Sequence, residues 1–337
     1  MSDLRRVFKN KIAELLCTWV GRNGGVPVLK GPLKHSILPK TSASENLAML
    51  LGRYEPTVVL ELLSAGPIDV AYDVGAHFGF MSLALSKLVG KTGRVFAFEP
   101  IPENRVAIDR LIDMNRLHQV VQVIPLALGE SNGKKRMLLR ECSSMHQLEE
   151  AYQGKGHNIY STVDVESCTL DSFIFERGKP FPQLIKIDVE GAEVPVLKGA
   201  VKTLEVHKPT FVIEIHGSQN ALKIWKLLQA TGYTWYHLSK GSRQQTASEQ
   251  DVQSYFSPTS WTHHFLLTNE RRVSLASKKP ETRSCTQATC EWTKARLQGI
   301  SDDLLVTSAT GNVHDKLVFR LRNKLNKLNR VLAALAI

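Results

Sequence analysis

At 337 residues, with 43% hydrophobic and 22% charged positions, the chain has a globular composition, which excludes a disordered polyelectrolyte, a collagen-like fibre and a membrane channel. Its formal net charge of +11 raises a nucleic-acid or anionic-membrane reading, but the excess is uneven: residues 1–40 carry +6, residues 41–270 carry −3 and residues 271–337 carry +8. The central segment is not composed as a polyanion-binding surface.

Leu4, Phe8, Ile12, Leu15, Leu16 and Trp19 recur at helical spacing and predict an amphipathic helix near residues 3–20, ended by Gly21 and the Gly24-Gly25 pair. Lys9, Lys11 and Glu14 interrupt it, so it reads neither as a signal peptide nor as a spanning helix. Residues 21–45 show no period and read as a connector. A helix is predicted near 44–63, then a buried strand in IDVAYDV (68–74) that runs into a glycine turn. Helices near 79–89 and 103–116 alternate with strands near 94–99 and 120–125. The next stretch is less regular, with strands expected at 135–140 and 162–169 around a loop. Strands at 184–188 and 210–216, helices at 192–205 and 218–231, and strands at 234–238 and 263–268 complete the pattern. Alternating β and α with apolar strands predicts a parallel sheet covered on both faces, with ligands beyond the carboxyl ends of its strands.

After residue 270 the alternation stops. Val318, Leu321, Leu325, Leu328, Leu332 and Leu335 then mark a basic amphipathic helix. The expected organisation is a basic N-terminal helix and connector (1–45), a catalytic domain (46–268), a polar linker (269–313) and a basic amphipathic helix (314–337). The two basic ends are read as solvated helices, as an oligomer seam or as a peripheral membrane contact. Five scattered cysteines do not make a disulfide framework and point to a reducing, cytoplasmic compartment. No CxxC occurs, and Cys285 and Cys290 lack a second Cys or His pair beside them, which disfavours zinc.

Asp73-Val-Gly75-Ala76-His77-Phe-Gly79 sits where a predicted strand turns into a helix. A dinucleotide fingerprint needs glycine where His77 stands, and no GK[ST] follows, so both pyrophosphate and P-loop readings are disfavoured. S-adenosylmethionine carries adenosine but no phosphate. Asp73 at one strand end suits its cationic amino acid part, and Glu99 at the end of the next strand suits two ribose hydroxyls. Read alone, Gly75 and Gly79 fit an ordinary βα turn; together with the two acids at successive strand ends they favour the cofactor.

The chain resembles the FkbM-type S-adenosylmethionine-dependent methyltransferases. The likeness rests on DVGAHFGFMSL (73–83), VFAFEPIPENR (95–105), Ala127-Leu128-Gly129, TLDSF (169–173) and, most specifically, LIKIDVEGAEVPVLKGA (184–200) followed by PTFVIEIHG (209–217). It covers about residues 46–268. The resemblance implies a Rossmann-like class I methyltransferase fold, α/β, with a mostly parallel seven-stranded sheet whose seventh strand is antiparallel, to which the helical extensions at both ends are added. It further implies methyl transfer to a hydroxyl, often of a sugar or natural product, with Asp73, Gly75, Ala76, His77, Gly79 and Glu99 matching cofactor positions. Asn104 and Ala127 lie in matching stretches.

Lys186, Asp188, Glu190, Gly191 and Glu193 form a second constellation, and Glu214 and His216 share a face of the following strand. Methyl transfer to an alcohol needs a base within hydrogen-bond reach. Asp188 is expected to be that base, with His216 second and Lys186 or Glu190 orienting the acceptor. A structural reading makes Lys186 and Glu214 an ion pair between adjacent strands and Glu193 a first-turn residue favoured by the helix dipole. No metal ligand is assigned, although Asp188, Glu190 and His216 would suit a divalent ion. His146, His157, His263 and His264 read as surface or packing residues. The 141–161 loop, with Tyr152, His157 and Tyr160, reads as an acceptor lid.

The favoured function is an O-methyltransferase acting on a saccharide or other hydroxylated small molecule. RNA 2′-hydroxyl methylation and a non-catalytic cofactor-binding scaffold are the competing classes. No [DNS]PP[YF] motif follows the fourth strand, which disfavours base-amino methylation, and the acidic balance of the central segment does not favour a nucleic-acid partner.

Overall fold

The structure is a computed structural model; it describes residues 24–39, 47–140, 146–152, 159–239, 242–257 and 260–269. The predicted helices at 3–20 and 314–337, all of the predicted linker 269–313 after its first residue, and His157 lie outside the described residues; Asn269 ends a strand.

The chain begins with an antiparallel pair, β1 (Gly25–Pro27) and β2 (Ile37–Pro39), where the sequence predicts only a connector. The pair is fixed from outside: Asn115 donates its side-chain N–H to the Ile37 carbonyl at 2.7 Å and accepts the Ile37 N–H at 2.8 Å. The single helix expected over 44–63 is two, α1 (Leu47–Leu50) and α2 (Pro56–Leu63). Gly52 breaks it: its φ is +63° and a Cβ there would stand 2.0 Å from the Lys30 carbonyl oxygen. Pro56 then opens the second helix, where its missing N–H costs nothing.

Next come β3 (Val70–Val74), α3 (Phe80–Val89), β4 (Arg94–Phe98), α4 (Pro102–Asn115), β5 (Val121–Ile124) and the short β6 (Ala127–Leu128). An arm follows, made of β7 (Gly133–Arg140), β8 (Gln147–Leu148) and β9 (Ile159–Cys168). The chain then returns through β10 (Leu184–Ile187) to α5 (Glu193–Lys198) and α6 (Val201–Val206), two helices where one was expected. The close approach of Gly199 to the Gly129 carbonyl, 2.1 Å from a hypothetical Cβ, marks the break. Last are β11 (Thr210–His216), α7 (Ser218–Leu228), β12 (Tyr233–Ser239), β13 (Ser242–Thr246), α8 (Glu249–Tyr255) and β14 (Thr262–Asn269). The sequence reading missed β13 and α8, although Ser248 and Asp251 form a capping box at the start of α8.

The main sheet has the order β13-β12-β14-β11-β10-β3-β4-β5. Strands β11, β10, β3, β4 and β5 are mutually parallel and β14 runs antiparallel to β11. This is the expected seven-stranded α/β sheet, with β13 added as an eighth strand at one edge. Alternate residues face two cores: Ala71, Val95 and Leu184 enter one, while Tyr72, Phe96 and Ile185 enter the other. The arm makes a second sheet, β6-β9-β7-β8. Met137, Leu148, Ala151 and Val165 of the arm pack on Ile101 and Ala192, at the carboxyl ends of β4 and β10. No described helix is long and apolar enough to cross a membrane.

Candidate active site

A cavity of about 240 Å3 opens where β3, β4, β10 and β11 end, with the arm contributing Met137, His146 and Leu148 to its wall. The strand order reverses between β3 and β10, so this is the switch point at which open α/β sheets bind ligands.

The glycine turn after β3 forms one side. Gly75 has φ +79°, and a Cβ on it would lie 1.8 Å from the Asp188 carbonyl oxygen, so the turn is packed against the end of β10. Gly79, at φ +81°, lets the start of α3 approach Ile108 of α4. Ala76 and His77 line the cavity. His77 holds φ +50° and stacks on Phe78 at 3.7 Å between ring centroids. Burial lowers its pKa to about 4, so the ring is neutral.

Glu99 is buried at the end of β4 and aimed by the backbone: Oε2 accepts the His77 N–H at 2.8 Å and Oε1 accepts the Ile101 N–H at 2.9 Å. Burial raises its pKa to about 7, against the hydrogen bonds from Ile101, Asn104 and His77. With three donors placed, the carboxylate keeps one acceptor site for a ribose hydroxyl. Asn104, Leu126 and Ala127 complete this side, so the residues fit an adenosine cofactor without phosphate.

Asp73 does not line the cavity. It is fully buried beneath the glycine turn, where Oδ2 accepts the Ser82 hydroxyl at 2.5 Å and Oδ1 faces Lys186 Nζ at 3.8 Å. Burial pushes its pKa up, while Lys186 and Ser82 act against that. Its contribution to the cofactor site is to hold Lys186 and the turn. Lys186 Nζ donates to Asp188 Oδ2 at 3.2 Å. Burial works against the lysine charge, but Asp188 and Asp73 outweigh it and keep the amine protonated. Burial alone would raise the Asp188 pKa; Lys186 and His216 reverse this and hold it below the ordinary value. The anticipated Lys186–Glu214 pair is replaced by these two aspartates.

The opposite side carries Tyr54, Glu55, Asp188, Glu190 and Glu214. Glu190 has φ +51°, uncommon for a residue with a side chain. Burial and the charges of Asp188, Glu214 and Glu193 raise its pKa to about 8, although His216 pulls it down. His216 Nε2 lies 3.4 Å from Glu190 Oε2, and its Nδ1 lies 2.9 Å from Glu193 Oε1. Burial opposes charge on that ring, but the Glu193 hydrogen bond and the Glu193, Glu190 and Asp188 charges raise its pKa to about 10. His216 is therefore held as an imidazolium with a carboxylate facing each ring nitrogen, an arrangement that suits setting the ionisation of Glu190 more than accepting a proton.

Glu193 is more than a dipole partner. It also accepts the Gly191 N–H at 2.8 Å and an Asn220 side-chain N–H at 3.3 Å, tying the rim loop to α7. Asn220 and Glu55 were missed by sequence reasoning. The Gly52 and Pro56 pair was the available signal for Glu55, since breaking the helix there turns Tyr54-Glu55 toward the cavity.

His264 stands 3.2 Å from Glu214 and 3.4 Å from Glu55. Burial opposes its charge, and the two glutamates raise its pKa to about 10. His263 shares a 3.0 Å hydrogen bond with His237. His146 Nδ1 accepts the Arg140 N–H at 3.0 Å, and the ring lines the cavity rather than only packing. Among the described residues, two groups bring metal-ligand atoms within 4.8 Å of one another: Glu55, Glu214 and His264, and Asp188, Glu214 and His216. Glu190 belongs to neither.

A family model for the methyltransferase FkbM domain matches residues 73–234. The hexuronic acid methyltransferase AglP of Haloferax volcanii is 30% identical over 178 residues, covering 52% of this chain and 68% of that protein. Among solved structures, a methyltransferase FkbM from Methylobacillus flagellatus KT aligns with 17% identity and a TM-score of 0.38, covering 78% of this chain and 59% of that one. An O-methyltransferase from Bacillus cereus in complex with SAH aligns with 13% identity and a TM-score of 0.35, covering 63% of this chain and 77% of that one.

Proposed function

The chain belongs to the FkbM methyltransferase family, and from that premise we propose that it transfers the methyl group of S-adenosylmethionine to a hydroxyl of a saccharide or other small-molecule acceptor. The observation that carries this reading is one cavity with two chemically different sides. Glu99, fixed by two backbone N–H groups, faces it from one, and the Asp188-Glu190-Glu214 rim from the other. The name of AglP, a hexuronic acid methyltransferase, supports a sugar acceptor.

S-adenosylmethionine supplies, when bound, an electrophilic methyl on a sulfonium. Glu99 and Asn104 hold the ribose, and the Gly75–His77 turn forms the adjoining wall. Glu190 takes the acceptor proton, because a carboxylate with a pKa of about 8 is the strongest proton acceptor on the rim that still ionises near neutral pH. Asp188, held anionic by Lys186, is the weaker base and orients the acceptor through a hydrogen bond. His216, fixed by Glu193, faces Glu190 and sets its ionisation.

The test is transfer of labelled methyl from the cofactor into a cell extract separated into glycan, small-molecule, lipid, nucleic acid and protein fractions. Label is expected among the glycans or small molecules. Label confined to nucleic acid would replace this reading with the RNA alternative, and failure to bind S-adenosylmethionine would remove the enzymatic reading altogether.

A further inference from the structure

Exposed aromatic side chains are few among the described residues: Tyr152 (41%), Tyr160 (63%), Phe181 (43%) and Trp261 (42%). Phe181 stacks on His207 and precedes β10, away from the carboxyl rim. Tyr152 and Trp261 both neighbour the rim loops: Trp261 packs on Gly217, the residue after His216, and Tyr152 follows Ala151, which packs on Gly191, the residue after Glu190.

Trp261 is seated by Gly217, the residue after His216. A Cβ on Gly217 would come within 2.9 and 3.0 Å of the indole Cζ2 and Cη2, so the ring lies directly against the glycine backbone. The Gly217 N–H also donates to the Trp261 carbonyl at 2.9 Å. Ring and main chain are both fixed, while 42% of the residue stays accessible. Gly191 follows Glu190, and Ala151 covers it: the Ala151 carbonyl oxygen and Cβ lie 3.5 and 3.8 Å from the position of a Gly191 Cβ. Tyr152 is the next residue, its ring held 5.4 Å from the buried Arg140 guanidinium. Each aromatic is thus one residue away from a group that touches the rim loop or its histidine.

The rim offers carboxylates: Asp188, Glu190 and Glu214. Carboxylates accept hydrogen bonds from hydroxyls and repel an acceptor carboxylate. The positive groups there are already faced by acids: Lys186 by Asp73 and Asp188, His216 by Glu193 and Glu190, and His264 by Glu214 and Glu55. A pyranose combines a C–H face that stacks on an aromatic ring with a girdle of hydroxyl donors. We infer that Tyr152 and Trp261 form an aromatic bracket that receives an uncharged pyranose sugar as methyl acceptor, with the reacting hydroxyl directed to Glu190. This deepens the proposed function and rests on it. A rigid, pre-seated indole contributes affinity because little freedom is lost when the sugar stacks on it.

The experiment uses the full chain with labelled S-adenosylmethionine and two pools, neutral oligosaccharides with methyl pyranosides and the corresponding uronates. The wild type is expected to methylate the neutral pool preferentially. For the accepted sugar, Trp261→Ala and Tyr152→Ala should raise KM about tenfold with kcat and the cofactor Kd little changed, and Trp261→Phe should recover most of the loss. Because Trp261→Ala risks the local fold at Gly217, the unchanged cofactor Kd and the Trp261→Phe variant separate lost stacking from misfolding. Sugar methylation with an unchanged KM in both alanine variants overturns the bracket and leaves the saccharide reading standing. Preference for the uronate pool overturns the neutral acceptor. A wild type that methylates a non-sugar hydroxyl and no saccharide overturns the saccharide reading itself.

Discussion

Glu190 combines a left-handed backbone, a place on the cavity wall and a pKa raised to about 8. A base of that strength gives turnover that rises with pH through about 8, as the carboxyl loses its proton. Glu190→Gln should lower kcat about 100-fold or more and flatten that limb, with cofactor affinity retained; steady-state rates across pH, beside calorimetric binding, check both parts. An unaltered pH profile in the variant would move the base to Asp188. Glu99 offers a different test. Both of its oxygens accept backbone N–H groups, so Glu99→Gln turns an amide donor toward one of two donors, from His77 or Ile101. Its cofactor Kd should therefore rise by about 10- to 100-fold, read by direct titration.

At the scale of elements, the Gly75 turn and the end of β10 form one piece. Gly75→Ala would drive a Cβ into the Asp188 carbonyl at a positive φ, and about 3 kcal/mol or more of stability should be lost. Denaturant midpoints measure this, and a neutral result would mean that the turn and rim separate more easily than their packing implies. The strands were legible because they are short apolar runs bounded by glycines and prolines: Thr210–His216 matches its prediction, and Leu184–Ile187 differs by one residue. Breaks inside helices were less legible. Gly52 and Gly199 are set by close approach of distant carbonyls, from Lys30 and Gly129, which periodicity does not register. The hairpin at β1 and β2 has the same character, since its partner Asn115 lies 78 residues away. In the site, KIDVEGAE marked the rim, but the choice among its acids depended on His216 being clamped by Glu193, a contact between separate elements.

For the whole molecule, the buried titratable groups mostly point the same way. His216 and His264 are raised from 6.5 to about 10, so their contribution to stability is full below pH 6.5 and is lost as pH rises through about 10. Glu99 and Glu190 are raised from 4.5 to about 7 and about 8, so the folded state also holds more protons than the unfolded one across that range. His77 and His237, lowered to about 4, act the other way below pH 6.5, so the melting temperature should fall from about pH 7 to about pH 9. Calorimetry of the wild type and of Glu193→Gln checks it: the variant should start lower and show a shallower decline.

The arm leaves and rejoins the main body through adjacent residues, with Ala127 and Leu128 paired to Ser167 and Cys168. What it brings to the cavity, Met137, His146 and Leu148 included, lies between those two pairings in the chain. These pairings make the arm an exchangeable cassette. A homologous arm grafted after Gly129 and before Glu166 would redirect the enzyme to a new acceptor, while Glu99, Asp188 and Glu190 keep the supports that the main sheet provides.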